Sequence, residues 1–180
     1  TILGEFAGNE EIYLNLGTTL QADQEPHWQS AEQRTDTTSI SLGDIDGDGD
    51  LDLVATHWWA SDPADRFPKV YLNQGNPVTI ALTTTLASTG LPAIGDYTAI
   101  RQVALGDMDG DGDLDLGLAI NAAHSRVYLN PGNSWQLTTF SASAAQAQGF
   151  YRVAWGDVDG DGDLDLAVGN DMQPNQVYLT

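Results

Sequence analysis

Short runs of apolar, β-favouring residues alternate with clusters of Gly, Asn, Asp and Pro along the whole chain. That pattern predicts strands and turns rather than helices. Apolar residues at three- and four-residue spacing are nearly absent, and the one local exception, residues 142–147, reads as loop. The strand pattern also repeats. GDIDGDGDLDLVAT from Gly43, GDMDGDGDLDLGLA from Gly106 and GDVDGDGDLDLAVG from Gly156 nearly coincide, and a second landmark recurs as EIYLNLG, KVYLNQG, RVYLNPG and QVYLT. Self-similarity at this period is the mark of a repeat architecture.

Each unit resolves into four expected strands. The first precedes the acidic loop (39–42, 100–105, 151–155) and the second follows it (51–56, 114–120, 164–169). The third is the Tyr-Leu-Asn run. The Asn-x-Gly after it signals a hairpin turn into a fourth, Thr-rich strand such as 78–86 or 135–140. A four-stranded antiparallel meander repeated in this way matches the blade of a β-propeller, in which neighbouring blades bury each other's apolar faces. The expected fold is all-β: about three to four blades, counted as three, four, four and three strands. The expected division is a partial blade at 1–38, blades at 39–99 and 100–147, and a partial blade at 148–180. Such a set is expected to be a compact closure, a fragment of a larger propeller, or part of a ring completed by a homo-oligomer.

The loops carry the sharpest chemistry. Asp44, Asp46, Asp48, Asp50 and Asp52 alternate with small or apolar residues, as do Asp107, Asp109, Asp111, Asp113 and Asp115, and Asp157, Asp159, Asp161, Asp163 and Asp165. Two unit charges ~4 Å apart repel by roughly 1 kcal/mol even in bulk water, so five carboxylates in nine residues call for a counter-ion. Calcium takes six to eight oxygens in flexible geometry, whereas magnesium demands a stricter octahedron and keeps its waters, so the expected occupants are three Ca²⁺ ions. Side chains at loop positions 1, 3, 5 and 9 and a carbonyl from position 7 are the expected donors; the side chains of Asp50, Asp113 and Asp163 are the weakest candidates. An EF-hand would need a bidentate acid at position 12, where Ala55, Leu118 and Val168 stand. A calcium that pins a hairpin is weighed here against a catalytic metal and against solvated turns, and the first is favoured, because a loop filled by protein oxygens leaves little room for substrate.

These loops, their following apolar strands and the VYLN-x-G runs resemble the FG-GAP, or VCBS, repeats found in integrin alpha-subunit propellers and many bacterial secreted proteins. The resemblance covers almost the whole chain. It implies a propeller with calcium loops joining the first two strands of each blade, in an extracellular or cell-surface adhesion or ligand-binding protein. The N-terminal unit departs from it, since no calcium loop precedes Ile2-Leu3-Gly4. A fourth metal site is therefore not expected.

Charge narrows the partners. The 180 residues carry 26 acids against six bases, a net charge of −20, which argues against nucleic acid or an anionic membrane surface. Fifteen of the acids sit in the three loops, so the rest of the surface is only mildly acidic. No cysteine is present, which excludes disulfides, thiolate zinc and cysteine nucleophiles. No apolar run is long enough to span a membrane, and the first residues lack the regions of a signal peptide; if the protein is exported, a signal has been removed.

The second unit differs from the others by an insertion: six extra residues separate its loop from its tyrosine, beside His57, Trp58 and Trp59. Adjacent tryptophans on a rigid frame suit stacking on sugar rings or anchoring a protein, against the alternative of packing between blades. Trp28, Trp135 and Trp155 are expected in the core or on strand faces. His27, His57 and His124 have no ligand spacing for zinc. Nucleophile elbows, zinc-protease pairs and phosphate loops are missing, so an enzyme is not expected. The favoured function is a calcium-stabilised extracellular module binding a protein or carbohydrate. Its alternatives are a purely structural or oligomerising repeat and an accessory domain of a secreted hydrolase.

Overall fold

A computed structural model describes residues 2–3, 9–13, 25–30, 37–57, 68–75, 82–84, 100–120, 125–132, 136–138, 150–170 and 174–180. All regular structure among them is β, in fourteen strands. The first sheet is β1 (Ile2–Leu3), β2 (Glu11–Ile12) and β3 (Trp28–Gln29). The second is β4 (Thr37–Gly43), β5 (Asp52–His57), β6 (Lys69–Asn73) and β7 (Leu82–Thr84). The third is β8 (Ile100–Gly106), β9 (Asp115–Ile120), β10 (Arg126–Leu129) and β11 (Gln136–Thr138). The fourth is β12 (Phe150–Gly156), β13 (Asp165–Asn170) and β14 (Gln176–Tyr178). Every pairing is antiparallel between chain neighbours, so each sheet is a meander of the kind that builds propeller blades.

The strand counts of three, four, four and three match the expectation. Of the expected fourth strands 78–86 and 135–140, residues 82–84 and 136–138 are described, and both are strand. The first strands are longer, because a bulge in each shifts the register at Thr38, Arg101 and Tyr151 and lets pairing continue to the far edge. Residues 142–147, Trp58, Trp59, His124 and Trp135 lie outside the described residues.

The period of two along the central strands explains how the sheets stack. On β5, Leu53 and Ala55 pack with Tyr71 against Ile12 and Trp28 of the first sheet, and the Trp28 and Tyr71 rings meet edge-on with centroids 5.1 Å apart. Val54, on the opposite face, joins Ile45 and Val70 against Leu116, Leu118, Ile120 and Tyr128 of the third sheet. Ala119 and Val127, on the other side of that sheet, pack with Val153, Leu166 and Val168 of the fourth. A sheet buried on both faces needs apolar residues at consecutive positions rather than alternate ones. β5 and β9 accordingly have every residue buried.

Glycine sets how closely sheets approach. A Cβ on Gly43 would lie 2.5 Å from Leu114 Cδ1 and 2.9 Å from Leu105 Cδ1, and one on Gly106 would lie 2.7 Å from the Trp155 ring. In the second and third sheets the glycine that ends the first strand is thus a socket for a leucine from the following loop and a large side chain from the following first strand. Trp155, expected on a strand face, is half-buried there and donates its indole N–H to Ala104 O at 3.3 Å.

Three candidate metal centres

Each acidic loop joins the first and second strands of its sheet, and all three are built alike. Two glycines per loop adopt left-handed backbone, Gly47 and Gly49 at φ of 75° and 93°, Gly110 and Gly112 at 71° and 96°, and Gly160 and Gly162 at 82° and 102°. These are conformations that side-chain-bearing residues resist. With that freedom the loop folds back on its first aspartate, whose Oδ2 accepts the backbone N–H of the second glycine at 3.0 Å in the first two loops and 3.2 Å in the third.

The ninth residue closes the loop from the other side. Asp52 Oδ2 accepts the Ile45 N–H at 2.8 Å while its Oδ1 accepts the Asn73 N–H at 2.7 Å. Asp115 does the same with Met108 and Asn130 at 2.7 and 2.9 Å, and Asp165 with Val158 and Thr180 at 2.8 and 3.1 Å. One buried carboxylate therefore ties together the loop start, the second strand and the end of the third strand. Burial pushes the Asp52 and Asp115 carboxyls up from the ordinary range; the backbone N–H groups work against this, and the neighbouring loop aspartates add to it.

The asparagine of the Tyr-Leu-Asn run completes the buttress. Asn130 Nδ2 donates to Leu114 O in its own loop at 3.3 Å and to Ile45 O in the loop of the preceding sheet at 2.9 Å. This link between neighbouring loops was not foreseen from the sequence, although the recurrence of Asn at that place was its signal.

Carboxylate oxygens converge at each loop. One oxygen each of Asp44, Asp46 and Asp48 lie within 4.8 Å of one another, as do those of Asp107, Asp109 and Asp115, and of Asp157, Asp159 and Asp165. Asp50 and Asp113 stand apart from these groups, against the hairpin turn: their Oδ2 atoms lie 2.8 and 3.3 Å from where a Cβ on Gly75 or Gly132 would be. The backbone N–H groups of Asp50, Asp113 and Asp163 donate to the carboxylates at position 5, at 2.9, 2.9 and 3.0 Å. Asp111 and Asp161 are outside the second and third triads.

The donor set suits a hard divalent cation. It consists of oxygens alone, and in the first two loops Asp44 Oδ1 and Asp107 Oδ1 are buried with no hydrogen-bond partner. A buried carboxylate oxygen without a donor is costly unless a positive charge meets it. Asp46 feels the same want: burial, then the charges of Asp48 and Asp44, raise its carboxyl above the ordinary range. Those groups fit a calcium ion, with Asp44, Asp46 and Asp48, or the first, third and ninth aspartates of the later loops, as its side-chain ligands.

Residues 107–168, from the first aspartate of the second loop to the middle of β13, match the family model described as FG-GAP-like repeat. The chain carries an FG-GAP-like repeat. Its matched span contains two acidic loops and the contact between the third and fourth sheets. The loop at 44–52 has the same glycine conformations and the same closing bonds as the two loops inside the matched FG-GAP-like span. No curated protein matches the chain.

His57, grouped with Trp58 and Trp59 as a ligand candidate, faces the interior. It is buried, with Nε2 2.9 Å from Glu10 Oε1. Glu10 also accepts from Thr37 Oγ1 at 3.1 Å and from the Tyr71 hydroxyl at 3.3 Å, so a buried polar cluster joins the first and second sheets. Burial alone would push the Glu10 carboxyl up. Hydrogen bonds from His57 and Ser30 and the His57 charge outweigh that and hold it at about 2. Sequence reasoning missed Glu10, because its partner lies 47 residues away and no short motif links them.

Proposed function

We propose that this chain is a calcium-stabilised, extracellular binding module, not an enzyme: stacked blades form a rigid frame, and loops on it take a protein or carbohydrate ligand. The observation that carries this is the pair of buried, unpartnered carboxylate oxygens on Asp44 and Asp107, each inside a converging aspartate cluster. Calcium, when bound, supplies the positive charge those oxygens lack. The protein supplies a loop already bent by its glycines, so little ordering is left to binding. The resulting sites would be structural. Their ligands are fixed by backbone bonds at both ends of the loop, and calcium outside cells is abundant enough to fill sites even at the weak end, ~10⁻⁴ to 10⁻³ M.

The extracellular placement rests on that calcium requirement and on the FG-GAP-like repeat, whose resemblance points to exported adhesion proteins. Among the described residues no helix is long and apolar enough to cross a membrane. The binding surface is assigned to the insertion in the second unit, with Trp58 and Trp59 as stacking residues for a sugar ring or anchors for a protein.

Thermal melting in calcium and then in chelator tests the metal half. A ligand specific to the folded state at a hundredfold excess over its dissociation constant adds about 2.7 kcal/mol per site, so three filled sites should raise the midpoint by roughly 15–30 °C. An unchanged midpoint would refute calcium as a stabiliser. A glycan array and a protein pull-down, each with wild type and with Trp58→Ala/Trp59→Ala, test the binding half. The reading predicts binding that the double variant loses; binding that survives it unchanged removes these two residues from the site.

A further inference from the structure

A polar bridge joins the acidic loops of the second and third sheets, and its centre is Asn130, buried just past the end of β10. The Asn130 backbone N–H donates to Asp115 Oδ1 at 2.9 Å, and Asp115 is one of the aspartates that converge in the second loop. The side-chain amide donates to Leu114 O at 3.3 Å and to Ile45 O at 2.9 Å, while its Oδ1 accepts the Gly132 N–H at 3.3 Å. Both amide hydrogens and the amide oxygen are thus engaged, which fixes the orientation of the group.

On the far side of the bridge, Ile45 stands between Asp44 and Asp46, two of the aspartates that converge in the first loop. Asp52 Oδ2 holds the Ile45 N–H at 2.8 Å, Asn130 holds its carbonyl, and the core between the two sheets holds its side chain. The backbone that carries Asp44 and Asp46 is therefore positioned in part from the next sheet. One connected chain of bonds runs from Asp115 through Asn130 to the peptide between those two aspartates.

The third and fourth sheets give the matched case. Leu164 meets Gly106 much as Leu114 meets Gly43, so the apolar contact between loops is repeated. The bridge is not. Thr180 stands at the place of Asn130; its N–H donates to Asp165 Oδ1 at 3.1 Å and its hydroxyl to Leu164 O at 3.4 Å, both in its own sheet's loop. Threonine has one side-chain donor where asparagine has two, so none is left for the carbonyl of Met108, the counterpart of Ile45.

We propose that Asn130 couples the first two calcium sites, so that filling either one strengthens the other, while the third site has no such link. The proposal rests on the reading of these loops as calcium sites. An aspartate neutralised by an ion no longer yields to its neighbours' repulsion. Holding Asp115 holds Asn130, and Asn130 holds the peptide that sets Asp44 and Asp46. The second loop to fill is then already ordered, and such coupling is reciprocal by thermodynamic necessity. A coupling worth one hydrogen bond corresponds to about fivefold in affinity. Charge acts with the opposite sign: a second loop left empty is more negative than a filled one, which by itself would strengthen calcium binding at both neighbours.

Two-dimensional amide NMR during calcium titration reads each loop separately, through the N–H groups of Gly49, Gly112 and Gly162 that bond the first aspartates. Asp109→Asn, at an exposed ligand position of the second loop, should weaken the first loop's affinity about fivefold without weakening the third. Asp46→Asn should weaken the second loop by the same factor. In Asn130→Thr, which copies the residue of the fourth sheet, all three loops should still fill, and adding Asp109→Asn should no longer weaken the first. Far-UV circular dichroism checks folding, and Asn130→Ser serves where the threonine variant does not fold. A first loop indifferent to Asp109→Asn, a third loop weakened equally, or a loss that persists in Asn130→Thr overturns the coupling and leaves the calcium sites standing. Glycine amides that do not respond to calcium at all overturn the calcium reading and the coupling with it.

Discussion

The third and fourth sheets share a matched repeat and nearly the same sequence, yet they live in different surroundings. The third is covered on both faces, and β9 is buried along its whole length. Among the described residues the fourth is covered on one face only, so Ala167 and Gly169 on the outer side of β13 are half-exposed while Leu166 and Val168 are buried. The first aspartate of the loop follows suit: Asp107 is half-buried with an unpartnered oxygen, whereas Asp157 is exposed. The repeat encodes two apolar faces, and its neighbours decide how much each is worth. The same substitution should therefore have different effects at equivalent positions.

The most closely matched pair is the ninth aspartate. Asp115→Ala removes a buried carboxylate that holds Met108 and Asn130, leaving two backbone N–H groups unpaired, and should destabilise by about 3 kcal/mol or more in urea unfolding. Asp165→Ala makes the same chemical change beside the exposed Val158 and Thr180, where water can replace the lost bonds, and should cost about half as much. Equal losses would mean that burial of the loop does not matter.

Core truncation comes next. Leu118→Ala, in the middle of the contact between the second and third sheets, should cost about 2–5 kcal/mol by denaturant unfolding. At Val177, half-exposed on β14, truncation to Ala should stay within about 0.5 kcal/mol.

Glu10 sharpens the comparison by setting a polar sheet contact beside the apolar ones. Its carboxyl is held at about 2, below the 4.5 of a free glutamate. The stability from this lowering is present above pH 4.5 and is lost as pH falls toward 2, amounting to at most about 3 kcal/mol. Wild type should exceed Glu10→Gln by up to that amount near neutral pH, and the two urea midpoints should converge on acidification through this window. A gap independent of pH would mean that the charge of Glu10 is not what holds the contact.

The smallest expected pair is at the sockets. Gly106→Ala pushes a methyl into the Trp155 ring and should cost about 1–3 kcal/mol of thermal stability, while Gly156→Ala meets open space and should be near neutral.

Much of this was legible in the chain because it rests on local rules. Asp and Gly at fixed spacing specify a bent acidic loop, Asn-x-Gly specifies the next turn, and consecutive apolar residues in β5 and β9 specify strands buried on both faces. The strand count of each sheet follows from those cues. What stayed hidden depends on distance. Nothing near Glu10 announces His57 or Tyr71, and the recurring Asn of the Tyr-Leu-Asn run marks position 130 without naming its partner Ile45 O, 85 residues back. The different triads, Asp48 in the first loop but Asp115 and Asp165 in the others, also escape a nine-residue pattern that is the same in all three. Loop position alone cannot say which carboxylates turn inward.

Calorimetric titration of the metal-free chain with calcium tests the central claim most directly. Three ions per chain are expected, falling to two in Asp48→Ala, with the variant still folded. A chain that takes up no calcium, or a count unchanged by the loss of Asp48, would contradict the account of how these loops are held.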